Sequence, residues 1–171
     1  MRGAPWHALP TSKSSADLLQ AHARVVGMNE ALSVLTAATT SPAAVVDEFL
    51  RLIMIPDPAT ARRCTAPGLH IRFTGGRAMS DPGECTAFNK SRYKWVKKRI
   101  ERTETVAGGS ADSETVVYSL GTLHGEWPDG TPFEGNRYVD RYVVKNGLIT
   151  QMDVWNDSAE WLLVRAGLAA L

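Results

Sequence analysis

Hydrophobic positions along the chain change period once. Up to about Trp95 they recur at helical spacing, and beyond it they alternate with polar residues. The pairs Val45/Val46, Phe49/Leu50 and Leu52/Ile53 place one broad apolar face on a helix that starts at Ser41-Pro42. Asp57-Pro58 and Asp81-Pro82 repeat that start signal, a capping oxygen followed by a proline suited to the first helical position. In the third, Glu84 stands where a capping-box carboxylate reaches back to the Asp81 amide. The second helix is short, over residues 58–65. Leu69, Ile71 and Phe73 alternate with His70 and Arg72, which predicts a strand closed by Gly75-Gly76.

Four longer strands are predicted over residues 96–107, 114–127, 133–144 and 148–156. Their joints are Gly108-Gly109-Ser110, Pro128-Asp129-Gly130 and Asn146-Gly147, the last being a two-residue hairpin turn that tolerates positive φ at both positions. A closing amphipathic helix follows over residues 159–168. Helices first and long strands afterwards predict an α+β fold, with N-terminal helices packed on a curved antiparallel sheet that forms a cone around an internal pocket. Ahead of this domain (residues 41–171), residues 1–40 read as a leader with a helical extension, in which Leu18, Val25 and Leu32 recur at a spacing of seven.

Composition narrows the function classes. A length of 171 residues, 44% hydrophobic and 22% charged, suits one globular domain. The net charge of +1 gives no global attraction to nucleic acid or anionic membrane. No apolar run approaches the ~20 residues that span a bilayer, and Ser12, Lys13, Ser14 and Ser15 interrupt any secretory core, so a cytoplasmic location is expected. The two cysteines, Cys64 and Cys85, are too few for a disulfide scaffold, and the four histidines have no ligand spacing, so no metal site is expected. Nucleophile elbows, phosphate loops and dinucleotide fingerprints are absent, so the expected chemistry needs no cofactor.

Residues 121–133 (Gly-Thr-Leu-His-Gly-Glu-Trp-Pro-Asp-Gly-Thr-Pro-Phe), 136–142 (Asn-Arg-Tyr-Val-Asp-Arg-Tyr) and 145–157 (Lys-Asn-Gly-Leu-Ile-Thr-Gln-Met-Asp-Val-Trp-Asn-Asp) carry a family resemblance. An Arg-Tyr-x-Asp-Arg strand, a turn and a strand ending in Asp-x-Trp resemble the last two strands of the SnoaL-like branch of the nuclear transport factor 2-like superfamily. That superfamily includes ketosteroid isomerase and scytalone dehydratase. The likeness covers residues 42–168. It implies a cone-shaped pocket for a hydrophobic small molecule, a homodimer through the outer face of the sheet, and proton-transfer chemistry of isomerase, dehydratase or cyclase type. A non-enzymatic ligand-binding or dimerising module of the same fold is the alternative.

The catalytic candidates are Asp153, Asp140, His124 and Tyr138. A carboxylate in an apolar cavity is tuned toward proton transfer at neutral pH. Asp153 sits close to the acid that the resemblance places near the end of the last strand. Many relatives carry that acid one residue further from the turn, where this chain has Val154; either a bulge restores the register or Asp153 points away. Asp140 alternates with Tyr138 and Tyr142, which puts it in the pocket or in a cross-strand ion pair. His124 either joins an aspartate in a dyad or is structural. Trp155, Trp95, Asn156 and Tyr118 are the substrate-binding candidates, against a core or interface role for the tryptophans. The basic run Lys90, Arg92, Lys94, Lys97, Lys98, Arg99 and Arg102, with Tyr93 and Trp95 among it, has the make-up of a nucleic-acid surface. Glu101, Glu104 and the near-neutral total favour a solvated face instead, so nucleic acid is not an expected partner.

Overall fold

The computed structural model describes residues 41–107 and 114–170. The predicted helical extension over residues 16–35 lies outside them. Helix α1 (Pro42–Met54) opens the domain, followed by the short α2 (Pro58–Ala61) with a 3-10 turn at Arg62–Cys64. Next come β1 (Thr65–Phe73), β2 (Arg77–Met79) and α3 (Pro82–Arg92). The long strands β3 (Trp95–Ala107), β4 (Thr115–Glu126), β5 (Pro132–Lys145) and β6 (Leu148–Asn156) follow, and α4 (Ser158–Arg165) closes the chain.

The three Pro-led helices start as their sequences dictate. Ser41 Oγ accepts from the Ala44 amide at 3.2 Å, Asp57 Oδ1 from the Thr60 amide at 3.1 Å, and Asp81 Oδ1 from the Gly83 amide at 2.7 Å. The Glu84 carboxylate departs from expectation. It accepts from the Ser80 amide at 3.3 Å, one residue before the expected Asp81, and from the Ser80 hydroxyl at 3.4 Å.

The six strands form one sheet in the order β2-β1-β6-β5-β4-β3. The expected meander accounts for β3 to β6, but the sheet is mixed: β1 lies parallel to β6. The strand at 69–73 thus extends the sheet from its far edge, and β2, which carries no alternation long enough to read, pairs with it.

Helix α1 covers the inner face of the sheet. Its buried side chains Val45, Val46, Phe49, Leu50, Leu52 and Ile53 pack with Val117, Tyr142, Ile149 and Met152 from the strands. Each such burial contributes roughly 1.5–3 kcal/mol. A second cluster of Tyr93, Leu123, Trp127, Phe133 and Tyr138 fills the other end, where the Trp127 and Phe133 rings lie 4.5 Å apart.

Two irregularities set the sheet's shape. On β4, Gly121 and Gly125 face inward, and a Cβ on either would stand 2.1 Å from Arg99 O or 2.2 Å from Trp95 O. Only a residue without a side chain allows β3 to approach so closely, and a bulge interrupts β3 between Ile100 and Arg102 at the same level. On β6, the register steps from Val144↔Ile149 to Val143↔Gln151, which leaves Thr150 as the extra residue. Its hydroxyl donates to Val143 O at 3.2 Å.

Candidate active site

The Thr150 bulge decides which residues of β6 face the cavity. Ile149 points inward, so uninterrupted alternation would carry Gln151, Asp153 and Trp155 inward with it. The extra residue reverses the parity beyond it, and Met152, Val154 and Asn156 line the cavity instead. A bulge is therefore present, but it turns Asp153 out. Asp153 is buried against the outer side of the sheet, held by Arg72 at 3.0 Å, Arg141 at 3.1 Å and Gln151 at 2.7 Å. Arg72 and Arg141 are its register partners on β1 and β5, so this carboxylate clamps three strands.

The other outward positions correct further expectations by the same alternation. Trp155 is exposed, Tyr118 lies on the outer side of β4, and His124 stands edge-on to Trp95 at 6.0 Å, also outside. Of these four, Trp95 lines a larger hollow beside the inner cavity and the other three line neither; Asn156 lines the inner cavity, and its Oδ1 accepts from the Ser158 amide at 3.1 Å.

Directly across from Val154 in the register stands Asp140, on β5. Asp140 thus stands one strand away from the position where the family resemblance expects a carboxylate, at the same level of the sheet. Asp140 has no solvent exposure. Its Oδ2 accepts from Tyr142 Oη at 3.0 Å and is ion-paired with Lys98 Nζ. Its Oδ1 has no hydrogen-bond partner among the described residues. Both readings of Asp140 therefore meet in one residue, which lines the cavity and forms an ion pair.

Lys98 is the residue that sequence reasoning misplaced. In the basic run, Lys97 and Arg99 point outward and are exposed, as a solvated face requires. Lys98 points inward, its side chain only 10% exposed, and reaches across β4 to the carboxylate. The available signal was parity: Val96 and Ile100 stand two residues to either side, so Lys98 shares an apolar face. Its ammonium lies 3.6 Å from the centre of the Tyr138 ring, a cation–π contact. The Tyr138 hydroxyl is itself engaged with Ser119 Oγ at 3.1 Å.

Burial dominates the electrostatics. It pushes the Lys98 amine below its ordinary pKa, with Asp140 opposing. Burial pushes the Tyr138 phenol up to about 12, and drives Tyr142 well above its usual value, with the Asp140 charge adding to the effect. Both tyrosines therefore stay protonated at neutral pH.

The inner chamber holding these groups measures about 40 Å³, room for a few waters or for one end of a ligand. Phe49, Leu50, Phe73 and Leu123 supply apolar wall. A second hollow of about 370 Å³ shares Ile53, Met54, Asn89, Tyr93 and Val96 with it as wall residues, so chamber and hollow are neighbours. No group of three or more His, Cys, Asp or Glu residues arranged to hold a metal ion occurs among the described residues. Nor is any described helix long and apolar enough to cross a membrane.

No protein-family model and no curated protein matches the chain. Solved structures do. A nuclear transport factor 2-like protein from Burkholderia thailandensis superposes with a TM-score of 0.58 at 17% identity, over 77% of this chain and 100% of that one. A protein of ketosteroid isomerase-like fold from Catenulispora acidiphila, in complex with trimethylamine, gives 0.51 at 15% identity, over 68% and 86%. A putative polyketide cyclase from Pseudomonas putida gives 0.53 at 10% identity, over 71% and 96%. The helix-covered, curved mixed sheet with its inner chamber is the nuclear transport factor 2-like fold, shared with proteins of the ketosteroid isomerase-like type.

Proposed function

We propose that this protein is a cofactor-independent enzyme that moves protons on a small hydrophobic molecule, as isomerases, dehydratases and cyclases do, with Asp140 as the base. One observation carries the reading: a carboxylate with no solvent exposure, in an apolar chamber, with one oxygen held by Lys98 and Tyr142 and the other unpartnered. An unsatisfied buried acceptor costs about 1–3 kcal/mol, so its presence at the end of an accessible cavity calls for a ligand proton. A module that only bound apolar ligands would have no use for that cost.

The neighbouring groups divide the remaining work. Lys98 supplies positive charge beside the carboxylate, where it stabilises an oxygen on which negative charge develops. His124 lies outside the chamber and the Tyr138 hydroxyl is engaged, so this role falls to Lys98 rather than to them. Tyr142 fixes the carboxylate's orientation. The reacting end of the ligand enters the inner chamber while its bulk rests in the outer hollow against Ile53, Met54 and Tyr93.

The test needs no natural substrate. Deuterium exchange at the carbon beside the carbonyl of 3-cyclohexenone, followed by NMR in heavy water, reads proton abstraction directly. Asp140→Asn is expected to lower protein-catalysed exchange by about 10²–10⁴-fold, the usual contribution of a positioned base. Equal exchange by a folded Asp140→Asn variant would remove Asp140 from the role.

A further inference from the structure

In the reaction proposed above Lys98 acts only as a positive charge, which leaves the nucleophilic capacity of its side-chain nitrogen unused. We propose that Lys98 is a covalent site, condensing with the carbonyl carbon of an aldehyde or ketone to form an imine; this rests on Asp140 acting as the base.

Three features of the site support it. Lys98 springs from the interior of a strand, between the inward-facing Val96 and Ile100, so its amine is held at a fixed depth in the cavity. Among the described residues its ion-pair partner is Asp140, its ammonium lies over the Tyr138 ring, and most of the chamber wall is apolar. Burial favours the neutral amine that attacks carbonyl carbon, and a proton acceptor is already in contact with it.

The atoms and charges balance within the pair. The ammonium passes one proton to Asp140, and the free amine attacks the carbonyl carbon, forming the N–C bond. A second proton moves from nitrogen to the former carbonyl oxygen. Asp140 then returns its proton to that hydroxyl, the C–O bond breaks, and water leaves. The product is an iminium cation beside a carboxylate, so the pair passes from charged to neutral and back to charged together, and neither charge stands alone at any step. That matters energetically, because leaving either charge unpaired in this chamber costs several kcal/mol. The regenerated carboxylate lies next to the carbon adjacent to the iminium, whose protons the iminium acidifies, and Asp140 can remove one. The substrate class is thus a carbonyl compound with an acidifiable neighbouring carbon and an apolar body.

Butanal with cyanoborohydride at pH 7 traps such an imine as a stable secondary amine, which peptide mapping by mass spectrometry locates. Lys145, which lines neither the chamber nor the hollow and whose side chain is 39% exposed, is the internal control. Burial lowers the Lys98 pKa and raises its share of neutral amine, so Lys98 is expected to label faster than Lys145. Lys98→Arg keeps the cation and should abolish the modification at this position without changing labelling of Lys145. Labelling of Lys98 no faster than Lys145 overturns the imine. If the wild-type protein then still exchanges ketone protons in an Asp140-dependent manner, the base stands alone. If Lys98 is trapped while exchange is indifferent to Asp140→Asn, the base assignment has failed and this inference fails with it.

Discussion

Breaking the buried pair one partner at a time, and then both together, gives a measurement whose sign separates a functional ion pair from a stabilising one. Lys98→Met leaves the Asp140 carboxylate with Tyr142 as its one donor among the described residues, in a site without solvent exposure. Asp140→Asn leaves an amine whose side chain is 10% exposed and faces an amide. Removing one member of such a pair costs about 3–5 kcal/mol, because the remaining charge is neither solvated nor compensated. The double variant Lys98→Met/Asp140→Asn buries no charge, and replacement of a buried pair by uncharged groups is often neutral or better. Its loss is therefore expected to be smaller than that of either single variant. Urea unfolding at pH 7 measures this, with unchanged slopes confirming that the same two states are compared. The exposed pair Arg51–Glu48, with its guanidinium nitrogen and carboxylate oxygen 2.7 Å apart, provides the contrast, since its coupling should stay below about 1 kcal/mol. Single-variant losses that simply add in the double variant, to within about 0.5 kcal/mol, would refute the description of the pair as buried and mutually dependent.

Three other outcomes follow from the geometry. Asp153→Asn should cost about 1–3 kcal/mol in urea unfolding through the loosened Arg72 and Arg141, while ketone proton exchange stays at the wild-type rate, because that carboxylate faces away from the chamber. Gly121→Ala places a methyl 2.1 Å from Arg99 O, and should destabilise by about 3 kcal/mol or prevent folding, whereas Gly68→Ala meets no atom within 4 Å and should cost only about 1–2 kcal/mol, for a side chain at its φ of 79°. Thermal unfolding at constant pH ranks the two. Stability should fall as pH rises above about 9. Cys85 and Tyr138 have folded pKa values raised by burial to about 12, from 9.0 and 10.0, so each keeps its proton in the folded chain after the unfolded chain has lost it. Their contribution is complete below the unfolded values and is lost toward pH 12, at about 1.4 kcal/mol per pH unit for each proton. The lowered Lys98 value works in the opposite direction up to 10.5, so unfolding titrated in Lys98→Met should show a steeper alkaline loss.

Much of the fold was legible because local rules decided it. The Asn146-Gly147 turn adopts the positive φ values of 51° and 75° that its residues favour. Each Pro-led helix is capped by the residue before its proline. The parity of β5 put Tyr138, Asp140 and Tyr142 on one face of the strand, and that face is the buried one. Failures came where distant strands or single insertions intervened. Nothing near residues 65–73 announces that they pair with the last strand in parallel, a contact that no local pattern encodes. Thr150 looks like any strand residue, yet as a bulge it exchanges the faces of Asp153 and Val154. Lys98 was hidden by company: among six other basic residues, its charge outweighed the apolar flanks that mark its side of the strand.

The parallel pairing of β1 with β6 also imposes an order of events on the growing chain. Arg72 and Asp153, which meet across that pair, lie 81 residues apart in sequence. Synthesis runs from the N-terminus, so β1 emerges early with Leu69, Ile71 and Phe73 and has only the three-residue β2 to pair with. Its principal neighbour, β6, is made only after β2 to β5 have all emerged. Such non-local closure is slow, since the entropy of a long loop is lost before the contact forms. A ribosome stalled shortly before β6 would therefore hold an apolar, half-paired strand in solution, a natural substrate for a chaperone and a seed for aggregation. The C-terminal hairpin that shapes the chamber also ends the chain's exposure to that hazard.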